Sequence, residues 1–165
     1  MGRRNYKIIK HEGTLRDCIS DAGEVEDLRE EIEEWKSSLE DNSMEHLPKF
    51  EELEECAGEL EAQDEIETQA EELATALEET PWADLLDKKI SYTNMQPYKG
   101  RGYPRWMRMS NSLAAMRAAL EELGDLTVPE GDEKADEQHT EIESAVQELE
   151  ATCEQLEGVC FPSMF

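Results

Sequence analysis

Residues 88–120 read KKISYTNMQPYKGRGYPRWMRMSNSLAAMRAAL and decide how the chain is organised, because they separate two acidic arms. They contain seven of the sixteen Lys and Arg residues and no Asp or Glu. The whole chain holds 42 Asp and Glu residues, which gives a formal net charge of −26. Such a surface repels nucleic acids and favours binding to something basic, although charge of this kind also serves simply to keep a helical protein in solution.

The second half of this basic segment is predicted to form a helix that begins near Arg105. Its apolar residues recur at alternating steps of three and four, which is typical of one helical face: Trp106, Met109, Leu113, Met116, Leu120 and Leu123. Alanines on its other sides permit close approach of neighbouring helices, and Gly124 suits the C-terminal end. We therefore expect this helix to be the most buried one.

The first acidic arm carries the same periodicity. Thr14 is a suitable N-cap for a helix over residues 15–39, in which Gly23 predicts a weak point. A second helix is predicted over residues 48–80. Pro48 suits its first turn, where the missing N–H of proline costs little. Its heptad pattern is interrupted after Leu60, as in a coiled-coil stutter.

Hydrophobic residues make up 38% of the chain, which suits narrow apolar seams better than a wide core. With a last helix over residues 136–158, the pattern predicts an all-α fold: an elongated antiparallel bundle or hairpin with coiled-coil-like seams. One irregular basic loop is expected near residues 90–104. Residues 6–9 and 90–93 have the composition of short extended stretches.

The chain divides into five predicted segments: a basic N-terminal arm (1–13), an acidic helical hairpin (14–88), a basic aromatic loop (89–104), two further helices with a polar linker near 125–135 (105–158), and an apolar tail (159–165). The tail either caps the core or is presented to a partner, and capping is the favoured interpretation.

The basic loop and the start of the following helix interleave cations with aromatic rings, a combination found at binding hot spots. The candidate partner-binding residues are Tyr98, Lys99, Arg101, Tyr103, Arg105, Trp106 and Arg108. Three roles are open for this segment: it folds onto the chain's own acidic helices, it contacts a partner protein, or it stacks nucleic-acid bases. The acidic surroundings make the third role the weakest.

Catalytic signatures are missing from the sequence: it contains no P-loop, no G-x-S-x-G and no G-x-G-x-x-G. His139, Cys153 and Cys160 occupy equivalent heptad positions, but seven residues rise about 10 Å along a helix, so even Cys153 and Cys160 cannot share a metal ion. We therefore expect no catalytic, cofactor or metal site and no enzymatic activity. The cysteine spacing and the lack of a long apolar run indicate a cytoplasmic protein with reduced thiols.

Two functions fit these features. The first is a non-enzymatic adaptor or assembly component that docks through the basic aromatic loop and the helical seams. The second is an inhibitor whose carboxylate rows imitate nucleic acid and occupy the basic groove of a nucleic-acid-binding protein. Both expect a protein partner with a basic surface; homo-oligomerisation or a larger assembly is open, whereas direct nucleic-acid binding and membrane attachment are not expected.

Overall fold

A computed structural model describes residues 6–98 and 102–162 of the chain. In chain order its elements are β1 (Tyr6–Thr14), α1 (Leu15–Ile19), α2 (Val25–Asp41), α3 (Pro48–Leu60), α4 (Gln63–Glu78), a 3₁₀ helix (Ala83–Asp87), β2 (Lys89–Pro97), α5 (Arg105–Leu123) and α6 (Glu133–Glu157).

The prediction of an all-α elongated bundle is wrong, because β1 and β2 pair in a two-stranded antiparallel sheet. The pairing runs from Tyr6 opposite Pro97 to Thr14 opposite Lys89. The fold is therefore mixed, although mostly helical, and residues 89–97 are a strand where an irregular loop was expected. Each strand depends on a partner more than seventy residues away in sequence, and local periodicity carries no signal for such a pairing.

The sheet leads directly into the first helix. The backbone N–H of Leu15 donates to the carbonyl of Lys88 at 2.9 Å, which extends the contact between the two strands by one residue. The Thr14 hydroxyl accepts from the N–H of Asp17 at 3.2 Å, which confirms Thr14 as the N-cap.

The single helices predicted over residues 15–39 and 48–80 are each divided in two, at the weak point noted in each. α1 and α2 are separated at Gly23, which has a φ of +51°. α3 and α4 are separated at residues 61–62, directly after Leu60. Pro48 occupies the first turn of α3, where its missing N–H leaves no hydrogen bond unmade.

α5 lies at the centre of the fold and contacts α1, α2, α6 and β2. The side of α5 that faces these elements carries fully or almost fully buried residues: Met109, Leu113, Met116, Leu120 and Leu123. α6 packs along α4, and their shared seam includes Leu73, Leu77, Ile142, Leu149 and Leu156. One continuous apolar core results, with the sheet attached at the side of α5.

The C-terminal segment returns to this core. Asp132 caps α6 by accepting from the N–H of Ala135 at 3.0 Å. Val159 is buried and Phe161 packs against the core, so both contribute to its cover. The last part of the predicted tail, residues 163–165, lies outside the described residues.

Candidate functional site

Exposed large apolar side chains lie in the segments that adjoin the open end of the sheet and the start of α5. Tyr6 pairs with Pro97 in the sheet, so the neighbouring Tyr98 leaves the sheet beside it. The Trp106 ring stands edge-on to the Tyr6 ring, with 6.4 Å between their centroids. Ile8 lies on the same face of the sheet as Tyr6, because side chains of a strand alternate between faces.

We call Ile8, Tyr98, Tyr103 and Trp106 the aromatic patch. Their exposed fractions are 48%, 50%, 48% and 52%, respectively. Among the described residues, the remaining large exposed hydrophobic side chain is Met44, in the turn between α2 and α3. Large apolar side chains exposed on adjoining segments are typical of interaction sites.

Two cations of the same segment, Arg105 and Arg108, bind α2. Arg108 donates to Glu31 of α2 through Nη1 at 2.9 Å and Nη2 at 2.5 Å. Arg105 donates to the same carboxylate at 3.3 Å and lies over the Trp35 ring, 5.4 Å from its centroid. The hydrogen bonds from Arg108 lower the pKa of Glu31 despite its partial burial, and those bonds raise the pKa of Arg108.

The predicted partner-binding residues therefore separate into two groups. Tyr98, Tyr103 and Trp106 are exposed, whereas Arg105 and Arg108 bind the chain's own acidic helix. Lys99 and Arg101 lie outside the described residues. The sequence pattern placed rings and cations in one segment, but it could not show that Arg105 and Arg108 bind Glu31 of α2 while Trp106 stays exposed.

Asn111 fixes the position of the sheet relative to α5, and sequence reasoning missed it. Its side chain accepts from the N–H of Met95 at 2.7 Å and donates to the carbonyl of Met95 at 2.8 Å. This amide occupies the edge of β2 that faces away from β1, so that edge is satisfied at this point. A lone Asn in an apolar helix gave no signal of this role.

Many Lys and Arg side chains form ion pairs within the chain. Because acidic residues far outnumber basic ones, an excess of carboxylates remains on the surface. Within the described part of the chain, seven Lys or Arg side chains pair with carboxylates: Arg16, Arg29, Lys49, Lys88, Arg105, Arg108 and Arg117. Lys36 lies over the Phe50 ring at 5.7 Å. The outer helical faces are therefore mainly anionic, and a cationic protein surface complements them.

Cys56 and Cys160 line one pocket, whereas Cys153 and His139 have other neighbours. Cys153 is buried with its Sγ 3.4 Å from the Met116 Sδ, and His139 stands edge-on to Trp82. Burial raises the pKa of the Cys56 and Cys153 thiols to about 12 each. Across residues 6–98 and 102–162 no three His, Cys, Asp or Glu side chains form a group able to hold a metal ion.

A groove between α4 and the α1–α2 turn is a second surface feature that the sequence did not indicate. It has a volume of about 540 Å³ and is closed below by Ile66, Ala70 and Met116, which belong to the core. Its rim carries carboxylates from α2 and α4.

The chain was compared with protein-family models, with curated proteins and with solved structures, and no match was found in any of the three. Among the described residues, none of the helices combines the length and apolar character needed to cross a membrane.

Proposed function

We propose that the chain is a non-enzymatic protein-interaction module, an adaptor or assembly component, that docks onto a cationic partner through the aromatic patch. The observation that carries this proposal is the exposure of Ile8, Tyr98, Tyr103 and Trp106, which lie in segments adjoining the open end of the sheet and the start of α5. Tyr and Trp dominate protein hot spots because they offer large contact areas with few rotatable bonds.

The setting of the patch supports this role. Trp106 is held by Tyr6 on one side and by its place in the first turn of α5. α5 is anchored in the core, and Asn111 ties it to β2. The patch therefore lies at the junction of two supported elements, and little conformational entropy is lost when a partner covers such a surface.

Charge supports the choice of a cationic partner. Carboxylates along α2 and on the other acidic helices, away from the patch itself, attract a basic protein from a distance and repel nucleic acid. Such a field accelerates association, while the apolar contact at the patch slows dissociation.

Capture from extracts of the cells that make this protein tests the proposal, with the wild-type chain and Trp106→Ala as baits. A partner retained by the wild-type chain is expected to be lost with Trp106→Ala and to survive moderate salt. Met44→Ala is the matched control, because Met44 is similarly exposed but lies in the α2–α3 turn. Equal capture by Trp106→Ala and Met44→Ala would contradict docking through the patch.

The nucleic-acid mimic is the second candidate function. It is favoured by the inward orientation of Arg105 and Arg108, which removes cations from the outer surface. Its charge row would lie on α2, where Glu30, Glu33, Glu34 and Asp41 line one outer face. A mimic is expected to lose its partner steeply with added salt, and Glu30→Gln with Glu34→Gln should weaken it even when Trp106 is intact.

A further inference from the structure

From the shape and charge of the groove between α4 and the α1–α2 turn, we infer that it binds a short amphipathic helix of a partner, with a narrow apolar stripe flanked by Lys and Arg. This inference deepens the proposed function, because it assigns the cationic partner a second contact on a different part of the surface. It depends on features independent of the aromatic patch.

The groove has the length of a short helix. Its α4 wall is lined from Gln63 to Glu78, fifteen residue steps that rise about 22 Å. The opposite wall consists of Ala22, Gly23 and neighbouring residues of the α1–α2 turn. A helix of roughly fifteen residues has the same length, so three to four turns fit between the ends of the groove.

The floor of the groove is apolar, whereas most of the residues that line it are polar or charged. Ile66, Ala70 and Met116 close it below, and half-buried Ala22 and Ala74 form its sides. Small side chains at the walls let a second backbone approach closely, and the apolar contact comes from Ala22 and Ala74, because the floor residues are almost fully buried. A stripe of medium-sized apolar residues is therefore the matching surface.

The rim determines the charge of the occupant. Four carboxylates line it: Glu26, Glu67, Glu71 and Glu78. The lining cation is Arg16, whose Nη1 is already 2.7 Å from Glu78. A second copy of this chain would bring its own strongly negative surface against that rim, so cationic flanks are the complementary choice.

Selection from a display library tests the inference. The library presents helical 16-residue peptides with a randomised apolar stripe and Lys/Arg flanks, and a matched library carries Glu flanks. We expect enrichment from the cationic library alone. Enriched peptides, labelled with fluorescein, should lose binding by about tenfold or more to Ala74→Gln, which fills the groove. Ala151→Gln, at an exposed position of α6, is the control and should bind as the wild-type chain does.

The rim is tested with two double variants of equal charge. Glu67→Gln with Glu71→Gln removes two rim carboxylates and should weaken peptide binding by about tenfold. Glu65→Gln with Glu72→Gln removes two carboxylates of α4 outside the groove and should change binding less than about twofold. Circular dichroism of each variant establishes that it is folded.

Several outcomes would overturn the inference: no enrichment from the cationic library, equal enrichment from the Glu-flanked library, or unchanged peptide binding by Ala74→Gln. Sedimentation that showed self-association blocked by Ala74→Gln would assign the groove to a second copy instead. These results are separate from the fate of the proposed function. If the partner is lost with Trp106→Ala but still binds Ala74→Gln, the adaptor role is supported and the groove is excluded as a contact.

Discussion

The two sides of α5 differ in what they do for the protein. Its inner side carries Leu113, Ser112 and Arg108, which face the core, the α1–α2 turn and α2, respectively. Its outer side begins with Trp106, about half of which is exposed. One helix thus holds the fold together and presents the surface for which we propose a partner, so changes on the two sides should have separable effects.

The largest effect on stability is expected from the inner side. Leu113 is fully buried, and Leu113→Ala leaves a cavity where α5 meets the core. We expect unfolding free energy to fall by about 3–5 kcal/mol. Urea titration followed by circular dichroism measures this loss. Leu39→Ala, at a half-buried position of α2, should cost clearly less, and an equal loss in both variants would contradict the central position of α5.

The second-largest loss of stability is expected at the contact between the α1–α2 turn and α5. A Cβ added at Gly23 would lie 2.7 Å from the Cα of Ser112, and the φ of +51° disfavours any other residue. We expect Gly23→Ala to destabilise the fold by roughly 2–3 kcal/mol. Gly58→Ala is the matched control, because its Cβ would meet open space inside α3 and should stabilise by about 0.5–1 kcal/mol. Thermal unfolding of both variants tests these opposite signs.

The ion pair between α5 and α2 should contribute less to the free energy of unfolding than either of these contacts. Glu31→Gln removes the charge that receives three hydrogen bonds from Arg105 and Arg108, and should cost about 1–2 kcal/mol at pH 7. Because the folded pKa of Glu31 is lowered, its contribution is present above the unfolded pKa and is lost as pH falls through the folded value.

The stability difference between wild type and Glu31→Gln should therefore shrink as the pH is lowered below about 4. Comparing variants rather than absolute stabilities removes the effect of the chain's overall charge. Glu34→Gln, at an exposed position of the same helix, is the control and should show little difference at any pH. A pH-independent difference for Glu31→Gln would show that the contact does not depend on the carboxylate charge.

The sequence predicted the helices of this fold better than its sheet. Periodic apolar residues located α5 and α6, because helix contacts are local, whereas the division of the predicted helix over residues 48–80 into α3 and α4 shows in the sequence only as an interrupted heptad after Leu60. The pairing of residues 6–14 with residues 89–97 depends on tertiary position. Burial alternates strictly in neither strand, so the period-2 pattern that identifies a strand in a sequence is weak in both.

The sequence showed which residue types gather in the candidate site, but it did not show in which direction each side chain points. Tyr98, Tyr103 and Trp106 stood out as rings in a basic segment, and the structure leaves them exposed. The inward position of Arg108 depends on Glu31, seventy-seven residues away. An acidic chain attracts its own cations, so a local cluster of Arg and Lys in such a chain does not predict an outward basic surface.

The smallest stability effect should come from the outer side of α5. Trp106→Ala removes a half-exposed ring whose described aromatic neighbour is Tyr6, so unfolding free energy should fall by at most about 1 kcal/mol. If the patch is the docking site, the same change should weaken partner binding by more than about thirtyfold, since central Trp residues often contribute over 2 kcal/mol. Calorimetric titration with the captured partner, alongside urea titration, measures both quantities. A stability loss comparable to that of Leu113→Ala would instead make Trp106 a structural residue, and the division between the two sides of α5 would fail.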